Sequence, residues 1–184
     1  MKSTVRRSKK GQSLNKSTRP TSNKVREALF NILRGTLEGT RFLDLYAGTG
    51  AVGMDALRQG AALVYFVETS KVQSNKIRES LLKYHLLDQS EVINKKVLTF
   101  IKWAEENALT FDTVFLDPPY HTDEIIQALS TIGYSSIVAD KGIVVAEHFS
   151  KRQLPDRFAT LHKTRTCQYG DTVLSFYEVN VGEE

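Results

Sequence analysis

The sequence predicts an α/β fold: a mostly parallel sheet with helices on both faces, closed by an antiparallel hairpin. Three observations predict it. Short apolar runs alternate with amphipathic stretches of helical period between residues 42 and 146, which is the mark of repeated strand–helix units. A glycine-rich stretch, Ala47-Gly48-Thr49-Gly50-Ala51-Val52-Gly53, follows the first run, where a strand-to-helix turn belongs. Two strand-like stretches, about 159–167 and 172–180, flank a turn at Tyr169-Gly170-Asp171. That is too short for a crossover helix, so the last pair is antiparallel.

The elements follow in order. Pro20 and Thr21-Ser22-Asn23 open a first helix, with Ser22 or Asn23 as its cap. Val25, Ala28, Leu29, Ile32 and Leu33 share one helical face, Phe30 has core spacing, and Gly35 and Gly39 end the segment. Phe42–Tyr46 reads as a strand, 51–59 as a helix, and Leu63–Val67 as a second strand. An amphipathic helix over 70–87 points Val72, Ile77, Leu81 and Leu82 to the core. Glu91–Asn94 is a short strand, 98–108 a helix, Thr113–Leu116 a fourth strand, 122–132 a helix, and Gly142–Ala146 a fifth strand. With the final pair, seven strands are expected.

A chain of 184 residues is expected to form a single domain with a proper core. Its net charge of +4 hides an asymmetry. Nine of the 25 basic residues fall within the first 26 positions, leaving sixteen against all 21 acids, a net of −5. Residues 1–18 therefore read as a basic, apolar-poor arm in front of a domain at 19–184, and such arms bind polyanions. One cysteine, Cys167, excludes an intrachain disulfide and a cysteine metal cluster, and the four histidines lack ligand spacing, so no metal is expected. No window has the ~20 apolar residues of a membrane helix, and the basic start has no apolar stretch behind it. A reducing cytoplasm fits best.

The chemistry concentrates at Asp117-Pro118-Pro119-Tyr120, directly after the apolar run Val114-Phe115-Leu116. Proline fixes φ and removes a donor, and Asp117 and Pro118, each preceding a proline, are held extended. The Asp117 carboxylate and the Pro118 carbonyl become two acceptors beside a flat ring. An exocyclic amino group on a nucleobase needs acceptors for its hydrogens and a surface to stack on. The glycine stretch satisfies G-x-G-x-x-G, and Glu68 ends the second strand, where ribose hydroxyls are held. Read naively, this suggests a nicotinamide-dependent oxidoreductase. Asp44 argues against it: a carboxylate at the end of the first strand repels a pyrophosphate and suits a cation. S-adenosylmethionine carries a sulfonium, an amino group and a ribose. No acid–base pair for hydride transfer stands out. Strands one and four flank the switch point of a doubly wound sheet, so both motifs open into one crevice.

Asp44-Leu-Tyr-Ala-Gly-Thr-Gly-Ala-Val-Gly followed by Asp117-Pro-Pro-Tyr resembles the S-adenosylmethionine-dependent amino methyltransferases. Three further stretches narrow the resemblance to the small bacterial enzymes that methylate guanine N2 in 16S ribosomal RNA: Arg19-Pro20-Thr21 with Val25–Leu33, Val145-Ala146-Glu147-His148, and Tyr169–Thr172. The resemblance implies a Rossmann-like class I methyltransferase fold. It implies that Asp44 and Ala47, Gly48, Thr49 and Gly50 contact the methionine part of the cofactor and that Glu68 holds the ribose. Asp117, Pro118 and Tyr120 would hold the target base, with Pro119, Arg19 and Thr21 at the substrate mouth. A cytoplasmic monomer acting on ribosomal RNA, within a partly assembled small subunit, is implied as well. The chain departs from the family pattern in its polar start, in Lys95-Lys96 where an acid often follows the third strand, and in Ser80 where an Asn is common. A DNA adenine or cytosine amino methyltransferase shares the motif chemistry. Such enzymes usually carry an added recognition domain, for which 184 residues leave no room. Cys167 and Trp103 read as packing residues. Glu147 and His148 read as hydrogen-bonded structure or rim, and His121 as a neighbour of the motif without an assigned role.

Overall fold

Period-two alternation sorts the strand side chains onto two apolar layers. The computed structural model describes residues 23–179; the basic arm, Arg19, Thr21 and the Ser22 cap lie outside the described residues. The elements are α1 (Asn23–Ile32), β1 (Arg41–Asp44), α2 (Ala51–Arg58), β2 (Leu63–Val67), α3 (Lys71–Lys83), β3 (Ser90–Ile93), α4 (Val97–Glu106), β4 (Phe111–Leu116), α5 (Glu124–Tyr134), β5 (Val138–Phe149), β6 (Arg157–Phe158), β7 (Leu161–Tyr169) and β8 (Thr172–Val179). The sheet order is β3-β2-β1-β4-β5-β8-β7-β6. β1 to β5 pair in parallel and β5 to β8 antiparallel. The predicted architecture is borne out. Among the described residues there are eight strands rather than seven, because the two-residue β6 is too short to leave a period in the sequence.

The same alternation assigns the helices to faces. Phe42, Val64, Phe66, Phe115 and Val145 pack with residues of α1, α2 and α3. Leu43, Tyr65, Val114, Val144 and Ala146 pack with residues of α4 and α5. Asp44 is two residues from Phe42, so it shares the α2 face. Val25, Leu29 and Phe30 are buried in α1, as their spacing predicts, while Ala28 and Ile32 are only half-buried. α3 corrects the prediction. Ser74, Ile77 and Leu81 form its buried face, whereas Val72 is 65% and Leu82 63% exposed. Each lies five residues from Ile77, about 140° around the helix at ~100° per residue. β5 outruns its predicted end at Ala146 because β8 pairs with it as far as Phe149. Gly170, at φ 62°, makes the β7–β8 turn. Among the described residues no helix is long and apolar enough to cross a membrane.

Candidate active site

Three adjacent strand ends bring three carboxylates together. Asp44 in β1 is level with Phe66 in β2 and with Phe115 in β4. Glu68 and Asp117 each follow those partners by two residues, so they rise about 6.6 Å above Asp44, on strands ~4.8 Å to either side. The result is a cleft with a recessed acid at its base and one acid on each wall. β1 and β4 are neighbours although five elements, α2 to α4, separate them in sequence, which puts the cleft at the switch point.

The glycine stretch forms the floor between β1 and α2. Gly48 and Gly50 adopt φ of 53° and 76°, a left-handed region that favours glycine. Gly53 is required by packing: a Cβ there would sit 2.2 Å from Phe66 Cε1, and Phe66 is fully buried. Gly53→Ala is expected to destabilise the fold by roughly 1–3 kcal/mol, as overpacked cores do. Urea unfolding measures this, and an unchanged midpoint would contradict it.

Hydrogen bonds determine what this loop can hold. The Gly48 N–H donates to Glu68 Oε2 at 2.9 Å. The Gly50 N–H donates to the Ala47 carbonyl at 2.6 Å, and the Gly53 N–H to Asp44 Oδ2 at 3.1 Å. A phosphate cradle needs such amides turned outward. Here the three glycine amides are satisfied within the protein, two of them by acids. The donor set therefore disfavours a pyrophosphate and fits a cation with hydroxyl groups. Glu68 Oε1 also accepts from the Ser70 N–H at 2.7 Å, which fixes the carboxylate at the start of α3. Asn94, beyond β3, donates to the Glu68 and Thr69 carbonyls at 2.8 and 2.9 Å and clamps the same turn.

Asp44 is 1% exposed. Burial pushes its carboxyl up to about 7; the Gly53 N–H opposes this and the charge of Glu68 adds to it. A cation in the cleft would favour the ionised form. Tyr46 joins this floor to the opposite wall. Burial, with the carboxylate of Glu124 at the start of α5, raises its hydroxyl above the ordinary range.

On the β4 side Asp117 is half-buried, Pro118 buried and Pro119 exposed. The Tyr120 hydroxyl donates to Glu147 Oε1 at 3.0 Å, with Thr172 Oγ1 at 3.5 Å. Its ring lies 6.2 Å from that of Phe149 with planes 21° apart. β5 and β8 thus set the ring of Tyr120 at the crevice. Glu147 is 2% exposed and is a structural anchor. His148 is one as well: Nε2 meets Ser175 Oγ at 2.9 Å, and burial holds its pKa below the usual histidine value. Trp103 packs on Phe100 at 5.8 Å. Cys167 is only half-buried, since β7 has no buried position beyond Leu161.

A family model described as "Conserved hypothetical protein 95" matches residues 4–178. The chain belongs to that family. "Putative rRNA methyltransferase YlbH" of Bacillus subtilis is 33% identical, over 93% of this chain and 95% of its own length. "Ribosomal RNA small subunit methyltransferase D" of Haemophilus influenzae is 33% identical, over 80% of this chain and 78% of its own. Among solved structures, putative methylase HI0767 of Haemophilus influenzae superposes with a TM-score of 0.75 at 29% identity, covering 85% of this chain and 96% of that one. The resemblance read from the two motifs is borne out by these relatives, and the fold by the superposition.

Proposed function

We propose that this chain transfers a methyl group from S-adenosylmethionine to the exocyclic N2 of a guanine in 16S ribosomal RNA. One observation carries the proposal: the strand register sets Asp117 and its two prolines across one cleft from Asp44 and Glu68, above a glycine loop with no amide to spare for a phosphate at its three glycines. The cofactor, when bound, supplies an electrophilic methyl group on a positively charged sulfur. Asp44 offsets that charge and that of the amino group, together with Ala47, Gly48, Thr49 and Gly50. Glu68, fixed by Ser70 and Gly48, accepts from the ribose hydroxyls.

The other wall prepares the nucleophile. An exocyclic amine is weak because its lone pair is delocalised into the ring. Asp117 and the Pro118 carbonyl accept its two hydrogens and favour a pyramidal nitrogen aimed along the cleft. Asp117 takes the proton released as the new carbon–nitrogen bond forms and the methyl carbon–sulfur bond breaks, its electron pair staying on the sulfur. Tyr120, tethered by Glu147, stacks on a base drawn out of its helix or loop. Pro119, exposed beside Tyr120, meets the incoming RNA, and Arg19 and Thr21 serve to bind it as well. Most of the rate gain comes from orientation and fixed charge. The arm at 1–18 adds salt-sensitive attraction to phosphates. The chain acts as a cytoplasmic monomer on RNA presented by a partly assembled subunit.

The glycine-loop hydrogen bonds count against a nicotinamide oxidoreductase. A DNA amino methyltransferase is separated by experiment. With methyl-tritiated cofactor, label should enter small-subunit ribosomal RNA, free or in particles, and not duplex DNA. Label in DNA alone would overturn the proposal.

A further inference from the structure

Tyr120 is one edge of a larger surface. Phe149, the last residue of β5, stacks beside Tyr120 with ring centroids 6.2 Å apart and planes 21° apart. Lys151 Nζ sits 5.8 Å above the Phe149 ring. Arg152 reaches across to Asp123, at the start of α5, with Nη1–Oδ1 at 3.1 Å. These residues and His121 line an open depression of about 600 Å³, with no acid among the residues that line it. The Asp123 carboxylate next to it is engaged by Arg152, and Lys151 has no carboxylate partner among the described residues. Flat rings bordered by cations suit a nucleotide: the rings take a base and the ammonium a phosphate.

We propose that this depression is a second nucleotide subsite, which takes the nucleotide next to the target guanine, its base on Phe149 and its phosphate at Lys151. The proposal rests on the ribosomal RNA reading above. A neighbour held at Phe149 and Lys151 steadies a strand already opened at the target. Arg152 braces the β5–β6 loop against α5 and keeps Lys151 beside the ring.

The test compares full-length wild type with Phe149→Leu, Phe149→Trp and Lys151→Ala on small ribosomal particles. Loss of the ring in Phe149→Leu should raise KM for RNA by at least about fivefold, the low end for base–aromatic stacking. Its kcat and cofactor affinity should stay within about twofold, and Phe149→Trp should restore KM. Lys151→Ala, at an exposed position, should reduce the log–log salt slope of binding by ~0.7, the value of one phosphate on a single strand. If wild type methylates the RNA and both Phe149→Leu and Lys151→Ala match it, the subsite is wrong and the functional reading stands. If Phe149→Leu lowers kcat alone, Phe149 merely positions Tyr120 and the subsite is again wrong. Wild type that methylates no ribosomal RNA overturns the functional reading, and the subsite with it.

Discussion

Asp117→Ala should lower the single-turnover rate of methyl transfer by roughly 10²–10³-fold, the range seen when one preorganised polar contact to the reacting group is removed. The fold should survive, because Asp117 stands beyond the last core residue of β4, Leu116. Cofactor affinity should change little, since Asp44, the glycine loop and Glu68 lie on other elements. Asp117→Asn separates two roles. It keeps one acceptor oxygen but cannot take a proton, so a loss close to that of alanine assigns proton acceptance, and a partial loss assigns orientation. Near-wild-type turnover of Asp117→Ala at saturating RNA would remove the acid from the mechanism.

Asp44→Asn should weaken cofactor binding by about one to two powers of ten, because a fixed charge opposite a cation in a poorly solvated cleft counts for more than in water. The pH dependence follows from the raised carboxyl. In the folded protein Asp44 binds its proton up to about 7, against an ordinary 3.8. The folded state therefore gains from protonated Asp44 at low pH, and this contribution fades as pH rises from about 4 through 7. Cofactor affinity runs the other way, since the cation prefers the ionised acid. Affinity of wild type should increase as pH rises toward 7, and binding below that pH should release a proton. Asp44→Asn keeps an acceptor for the Gly53 N–H and should bind with little pH dependence. Calorimetry in buffers of different ionisation enthalpy measures the released proton; equal proton release by wild type and variant would contradict this account.

The parts of the fold and site legible in the sequence are those written over a few residues. The alternation of strands and helices, the turn at Gly170 and the motif ending β4 all depend on near neighbours. So does the position of Asp44 and Glu68 at strand ends. What the sequence hid is carried by distant pairs. The Tyr120–Glu147 bond and the His148–Ser175 bond each join residues 27 apart. Asn94 clamps a turn 25 and 26 residues away. These contacts depend on strand register and loop path, which no local period encodes. Tyr46 meets Glu124 for the same reason. Val72 and Leu82 looked internal because apolar character was counted without their angle around the helix. The β4–β5 and β5–β8 registers, once known, account for the position of Tyr120 and for its stacking with Phe149.

The central claim is that the Asp117 wall presents the N2 amine of a guanine to the methyl donor. The most direct measurement is mass spectrometry of nucleosides from small-subunit ribosomal RNA methylated by wild type with a deuterium-labelled methyl donor, with Asp117→Ala as control. The account predicts labelled N2-methylguanosine from wild type and, over the same short incubation, at least about a hundredfold less from the variant. Labelled N6-methyladenosine in its place, or equal N2-methylguanosine from the variant, would contradict it.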